Sequence, residues 1–407
     1  MKDPVCLGMR VVSFCHYLQG PASTQYLADM GADVIKVEPL AGAFERHWSG
    51  GNSWVTDVSA FSLSVNRNKR SIALDLKTPE GLQIARDLIV QADVLVENYR
   101  PGVMDRLGLG YEEVRRLNPA IVYASASGLG ATGPAAARPG QDLLMQARSG
   151  LIAATGGPEN SVVGAAVIDQ HGGALLAMGI LGAYVRRLRT DQGARVESSL
   201  FAAGIDLQVE ALTKFYAAPG GRALLARDRH VGSWYHDAPY GLYALKDAQI
   251  VLSMNDPDRL AEALDSDELR ALAGIDRYQE RDRYAQTMAG VLARRSLAEL
   301  AEVFDAHRIW YEPVQDYEDL RRDPQARHLG VFDTVDVNGR AATVISHPLR
   351  YDGQRPGVRT MPLYPGADSV AIMDELGIPR ARQEQLIEQG AVGARRPART
   401  GSQSEAS

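Results

Sequence analysis

Along the first half of the chain, short apolar and β-branched runs alternate with segments whose apolar residues recur at helical spacing. Arg10 to Phe14 is one such run, bounded by Gly8. The segment after it runs from Gly20-Pro21 to Met30-Gly31, which fits a helix with Pro21 at a first helical position and Gly31 just past the last. Asp33 to Glu38 (DVIKVE) alternates like a strand and stops at Pro39, giving a strand, helix, strand unit suited to parallel pairing. The pattern recurs in Arg70 to Leu76 (strand), Thr78 as N-cap with Pro79 at the first helical position of a helix through Gln91, Asp93 to Glu97 (strand), Tyr111 to Leu117 (helix) and Ala120 to Ser125 (strand). This alternation predicts a doubly wound α/β domain, with ligands beyond the carboxyl ends of its strands, after Phe14, Glu38, Glu97, Ser125 and Ile168.

Further on, Ala194 to Glu197 reads as a brief strand and a helix starts near Ser198. The texture changes at Ala217 to Gly221, where a domain boundary is predicted. Gly241 to Leu245 and Gln249 to Met254 form a predicted hairpin, and Asp258 to Leu264, Arg281 to Arg295 and Leu297 to His307 carry apolar residues at helical spacing. The expected organisation is therefore a large domain over 1–216, a smaller α+β domain over 217–330, a C-terminal segment over 331–392 and a disordered tail over 393–407.

Composition narrows the classes. A formal charge of −6 over 407 residues, with both signs dispersed, gives no reason to expect nucleic-acid binding. Cys6 and Cys15 are the only cysteines, too few for a disulfide framework and without CxxC spacing, which suits a cytoplasmic protein without a metal site. The N-terminal residues carry no secretory pattern, and the longest apolar run, Ala174 to Val185, is too short to span a bilayer. Gly128 to Gly133 matches G-x-G-x-x-G, but Pro134 to Pro139 do not open a helix after it, so no nicotinamide or flavin site is expected.

The most informative stretch is Val163 to Arg187, VGAAVIDQHGGALLAMGILGAYVRR. It reads as a buried strand end from Ala165 to Ile168 meeting a helix rich in small residues at Asp169. The residues alone leave Asp169 open between a helix N-cap and a functional carboxylate, and a helix N-terminus favours the charged form in either role.

Five stretches carry a resemblance to a known family: LADMGADVIKVEP (Leu27 to Pro39), NRNKRSIALDLKTPEG (Asn66 to Gly81), ENYRPGVMDRLGLGYE (Glu97 to Glu112), PGQDLLMQARSGL (Pro139 to Leu151) and the segment around Asp169. RRDPQARHLGVF (Arg321 to Phe332) and HPLRYDG (His347 to Gly353) continue it more weakly. Together they resemble the class III CoA-transferases, a group that includes formyl-CoA transferase and the α-methylacyl-CoA racemases. The resemblance implies a large Rossmann-like domain built from both chain ends, a small central domain and an interlocked homodimer. It implies coenzyme A, as an acyl-CoA, for substrate, a carboxylic acid as its partner, and no metal.

By the same resemblance Asp169 is the nucleophile that becomes an aspartyl-CoA thioester, and Asp142 supports it. His16, Tyr17 and Leu18 after the first strand, Leu74 and Lys77 in the third, and Asn98, Tyr99, Arg106 and Leu107 after the fourth match the CoA-contact segments. Lys77 and Arg106 would face phosphates and Tyr99 would offer a flat apolar surface. Racemases of this group have a histidine where this chain has Gln141, which cannot exchange protons, so CoA transfer is favoured over 2-methylacyl-CoA racemisation. A CoA-binding protein without turnover is the reading from outside enzymes; a trapped covalent intermediate separates it from the transferase. Trp48, Trp54, Trp234 and Tyr235 are candidates for an apolar acyl pocket.

Overall fold

The computed structural model describes residues 4–394. Its largest element is a seven-stranded sheet. In chain order the strands are β1 (Arg10–Phe14), β2 (Asp33–Glu38), β3 (Lys69–Leu74), β4 (Val94–Glu97), β5 (Val122–Ser127), β6 (Ala194–Ser199) and β7 (Val392–Gly393). Their spatial order is β7-β3-β2-β1-β4-β5-β6. Every pairing is parallel except that of β7 with β3, where Val392 faces Leu74 and Gly393 faces Ala73. The order reverses direction at β1, so a crevice opens between the carboxyl ends of β1 and β4, where open α/β sheets collect ligands.

Strand alternation divides the apolar residues between two faces. Val12, Phe14, Ile35, Ile72, Leu74, Leu95 and Tyr123 pack on one side against Ile84, Ala85, Leu88 and Ile89 of helix α2 (Pro79–Val90) and against Ile372, Met373 and Leu386 near the chain's end. Val11, Val34, Val94, Val96, Val122 and Ala124 pack on the other side against Leu27 and Ala28 of helix α1 (Gln19–Asp29) and Leu176 and Ile180 of helix α3 (Val167–Thr190). Both faces are covered, which is why the central strands carry so few polar residues.

The helix boundaries follow local chemistry. Thr78 caps α2, its hydroxyl accepting the Gly81 N–H at 3.1 Å, and Pro79 occupies the first helical position. Thr78→Ala is expected to destabilise this part of the protein by about 1 kcal/mol. Urea unfolding of the two proteins measures it, and an unchanged midpoint would count against the cap.

The chain divides into two compact units. The first holds the described residues up to Gln141, Ile168–Ala203 and those from Gln325 onward; the second holds Asp142–Val167 and Gly204–Pro324. These bounds differ from the expected 1–216, 217–330 and 331–392. Contacts far apart in sequence make the difference: Gln208 Nε2 donates to Ser149 O at 3.2 Å, and Arg227 Nη2 donates to Ala154 O at 2.9 Å. Composition carries no trace of such pairings. The second unit has a three-stranded antiparallel sheet, Gly241–Ala244, Gln249–Leu252 and Tyr311–Pro313, with helices Pro257–Ala263, Arg281–Leu292 and Leu297–Ala306 enclosing its core.

Two expectations need correction here. Ala165 to Ile168 is not a strand: Val167 and Ile168 already belong to α3. Gln146 takes up the backbone before them, its amide donating to Val163 O and Ala165 O and accepting Val163 N–H at 3.0 Å, so these groups need no sheet partner. The tail was expected to begin at Gly393, which instead pairs with Ala73; the rest of it, from 395, lies outside the described residues. Among the described residues no helix is long and apolar enough to cross a membrane.

Candidate active site

Asp169 is the third residue of α3, not its N-cap, and it is half-buried. A carboxylate in the first turn still faces the unpaired N–H groups of the helix start, which favour its charged form. Helix α3 comes close to the start of α1. A Cβ on Gly173 would lie 3.0 Å from both Ala22 Cβ and Gln19 O, and one on Gly172 would lie 2.8 Å from Gln19 Nε2. The two glycines therefore let the helix bearing Asp169 pack against the segment that follows β1.

That segment carries His16, Tyr17 and Leu18. Asn98, just past β4, accepts the His16 N–H at 2.9 Å and donates to His16 O at 2.7 Å, joining the two strand ends across the crevice. The His16 ring lies 5.0 Å from Tyr99 and 4.9 Å from Tyr17. The aromatic run continues from Tyr17 to Phe44 at 4.4 Å, Phe44 to Trp48 at 5.7 Å and Trp48 to Phe61 at 5.6 Å. Tyr17 sits at φ +60°, a left-handed conformation unusual for a bulky residue. Burial lowers the His16 pKa to about 4, with Glu45 opposing and Lys36 adding to the shift, so the ring is uncharged near neutral pH.

Leu74 closes β3 in the apolar cluster against which Tyr99 and Leu107 pack. Lys77 and Arg106 are exposed and form no ion pair among the described residues. The structure thus brings His16, Asn98 and Tyr99 into direct contact and gathers Leu74 and Leu107 beside them. Gln141 is exposed at the end of a first-unit segment, and Asp142 begins the second unit, where its Oδ2 accepts from Gln146 Nε2 at 2.6 Å. Trp234 and Tyr235 also belong to the second unit, where they line a cavity of about 410 Å³ with Leu151, Leu207 and Gln208.

The sequence reading missed Gln19, Lys36 and Lys69, all buried beneath the crevice. A lysine inside an otherwise apolar central strand was the available signal for Lys36, since such a strand has no solvent face. Gly128, the first glycine of the 128–133 motif, serves backbone packing: a Cβ on it would lie 2.5 Å from Gly140 Cα. Among the described residues no His, Cys, Asp and Glu side chains gather in a group that could hold a metal ion.

Glu97 ends β4 and is 9% exposed. It lines a cavity of about 260 Å³ with Tyr99, Arg100, Tyr111, Tyr123 and Arg195. Burial pushes its carboxyl up to about 7; the Tyr99 N–H and Arg195 oppose the rise and Asp105 adds to it. The unfolded carboxyl titrates near 4.3, so the folded protein binds more protons between about 4.3 and 7, and stability falls as pH rises through that window. Relative to Glu97→Gln, the wild type is expected to lose up to about 3 kcal/mol between pH of about 4.5 and 7.5. Urea unfolding of both proteins across that range checks it, and a constant difference sinks the assignment.

Comparison with known proteins shows the family. The fold matches the crystal structure of a CAIB/BAIF family protein from Brucella suis, with a TM-score of 0.80 and 26% identity over 92% of this chain and 100% of that one. An acyl-CoA transferase of Fusarium pseudograminearum is 33% identical, covering 91% of this chain and 84% of its own. An acetyl-CoA:oxalate CoA-transferase of Acetobacter aceti is 30% identical, covering 92% of this chain and 96% of its own. The model of CoA-transferase family III matches residues 7–369, and the chain belongs to that family. It is an enzyme of CoA transfer.

Proposed function

We propose that the protein moves CoA from an acyl-CoA to a carboxylic acid through a covalent intermediate on Asp169. The observation that supports this reading is the packing of Gly172 and Gly173 of α3 on Gln19 and Ala22 of α1, in the same helix whose first turn holds Asp169. The Asp169 carboxylate attacks the thioester carbonyl, the C–S bond breaks, and a mixed anhydride and CoA thiolate result. The thiolate attacks the Asp169 carbonyl of the anhydride, expelling the donor acid and leaving an aspartyl-CoA thioester. An acceptor carboxylate attacks that thioester in turn, and the returning thiolate takes the acceptor acyl group, which restores Asp169.

His16, Tyr17, Leu18, Leu74, Asn98, Tyr99 and Leu107 form the platform for CoA in this reading, with Lys77 and Arg106 supplying charge for its phosphates. Asp142 has a supporting role. The chain works as a homodimer; exposed Met178, Val185 and Leu188 along α3 support an apolar contact with a second copy.

The test is to incubate the protein with a panel of acyl-CoAs, quench with hydroxylamine or borohydride, and map the modified peptide by mass spectrometry. Modification at Asp169 is expected. Modification confined to another residue, in a preparation that transfers CoA, overturns the reading.

A further inference from the structure

The loop from Cys15 to Leu18 and the first turn of α1 that follows it are held by side chains of two strands, β2 and β3, and by Asn98 just past β4. Lys36 of β2 donates to Cys15 O at 2.7 Å and pairs with Glu45 at 2.7 Å. Lys69 of β3 donates to Pro21 O at 2.8 Å, to Val65 O at 2.6 Å and to Asn66 Oδ1 at 3.4 Å. Asn98, past β4, holds both main-chain groups of His16 between them. The two strands on one side of β1, and the residue that follows β4 on the other, thus each contribute a side-chain donor to this stretch.

Both ammonium groups are 1% exposed. Among the described residues Lys69 has no carboxylate partner; its three acceptors are all neutral oxygens. Burial, with Lys36 close by, drives its pKa well below that of an ordinary lysine. A buried amine in this setting costs stability. Its contacts are with the Pro21 carbonyl in the first turn of α1 and with Val65 O and Asn66 Oδ1 just before β3, so what it secures is the seat of the turn into which the Cys15–Leu18 loop runs.

We infer that Lys36 and Lys69 are positioning residues, buried donors that fix the Cys15–Leu18 loop and the first turn of α1 in the conformation that takes acyl-CoA. The inference rests on the reading of His16, Tyr17 and Leu18 as part of the CoA platform. A loop fixed before binding loses less freedom when the ligand arrives. A loop that is competent for a tenth of the time weakens the apparent affinity about tenfold, while the bound complex still turns over at its full rate. Loss of folded protein does the opposite: it lowers apparent kcat and leaves KM alone.

The test combines hydrogen exchange with binding. In the ligand-free wild type, a peptide spanning Cys15–Pro21 is expected to exchange at least about tenfold more slowly than one from the irregular segment 129–137. In Lys36→Met and Lys69→Met that protection falls, the Kd for free coenzyme A rises about tenfold, and KM for the acyl-CoA rises with kcat retained. If the folded variants keep the wild-type protection, the inference fails even where His16→Ala weakens CoA binding. If protection falls and CoA affinity does not, the platform reading fails with it. Should neither variant fold, the wild-type measurement decides: exchange as fast as that of 129–137 overturns the clamp, and strong protection upholds it.

Discussion

Asp169→Asn is expected to lower kcat for CoA transfer by at least about 10⁴-fold, with CoA affinity close to that of the wild type. The amide has nearly the same shape as the carboxylate, so it can keep its place in the first turn of α3, but it does not attack a thioester. Asp169→Glu keeps the charge and moves it outward by one methylene; for a reacting group held at fixed geometry, such a misplacement costs about 10²-fold. The ordering Asp, then Glu, then Asn is the signature of a nucleophile. A purely structural cap would show a drop in stability with activity scaling to the folded fraction. Steady-state kinetics with thermal unfolding of each variant separates the two, and an asparagine variant within tenfold of wild type would falsify the assignment.

The second large effect lies in the buried ion pair that anchors the segment behind the crevice. Arg46 Nε and Nη2 donate to the two oxygens of Glu38, each at 2.6 Å, while Ser71 Oγ donates to Glu38 Oε1 and Ala43 N–H to Oε2. Arg46 Nη1 also reaches Pro362 O at 3.0 Å, tying the C-terminal crossing to β2. Burial alone would raise the Glu38 pKa, but the Arg46 charge and hydrogen bonds, with Lys36 and Ser71, hold it at about 2. The folded pKa is below the unfolded one, so the stabilisation is present above about pH 4.3 and is lost as pH falls toward about 2.

Arg46→Met leaves a buried carboxylate without its main cation. A loss of roughly 3–5 kcal/mol is expected at neutral pH, shrinking toward about pH 4 as the stranded carboxyl takes a proton. Pairing it with Glu38→Gln should recover part of the loss. Urea unfolding of the single and double variants measures both terms; a pH-independent loss below about 1 kcal/mol would contradict this account.

Much of the first unit can be read in the chain because its signals are local. DVIKVE ends at a proline and is a strand over the expected residues, and Thr78-Pro79 marks a helix start whose cap hydrogen bond is present. Gly128 of the G-x-G-x-x-G motif meets Gly140 in a backbone crossing that the sequence does not announce. What escaped depends on residues distant in sequence. The strand expected at Ala165 to Ile168 has the apolar character of one, but Val167 and Ile168 are helical and Gln146 takes the Ala165 carbonyl from nineteen residues away. The second unit draws in Asp142–Val167 through contacts such as Gln208 with Ser149, fifty-nine residues apart, and no shift in composition marks that join. Lys36 falls inside the expected strand Asp33 to Glu38, but Lys69 lies just before the expected strand Arg70 to Leu76, and the carbonyls they reach, Cys15 O and Pro21 O, are twenty-one and forty-eight residues away.

The short strand β7 bears on how the chain matures. Strand β3, complete by residue 74, pairs with β2 on one side and with Val392–Gly393 on the other. On the ribosome its outer edge therefore stays open until residues 392–393 have been made, more than three hundred residues later. An unpaired edge is a template for strands of other molecules. Nascent chains that stall after β3 and before β7 are the form of this protein most exposed to aggregation, and chaperone dependence should be greatest in that interval.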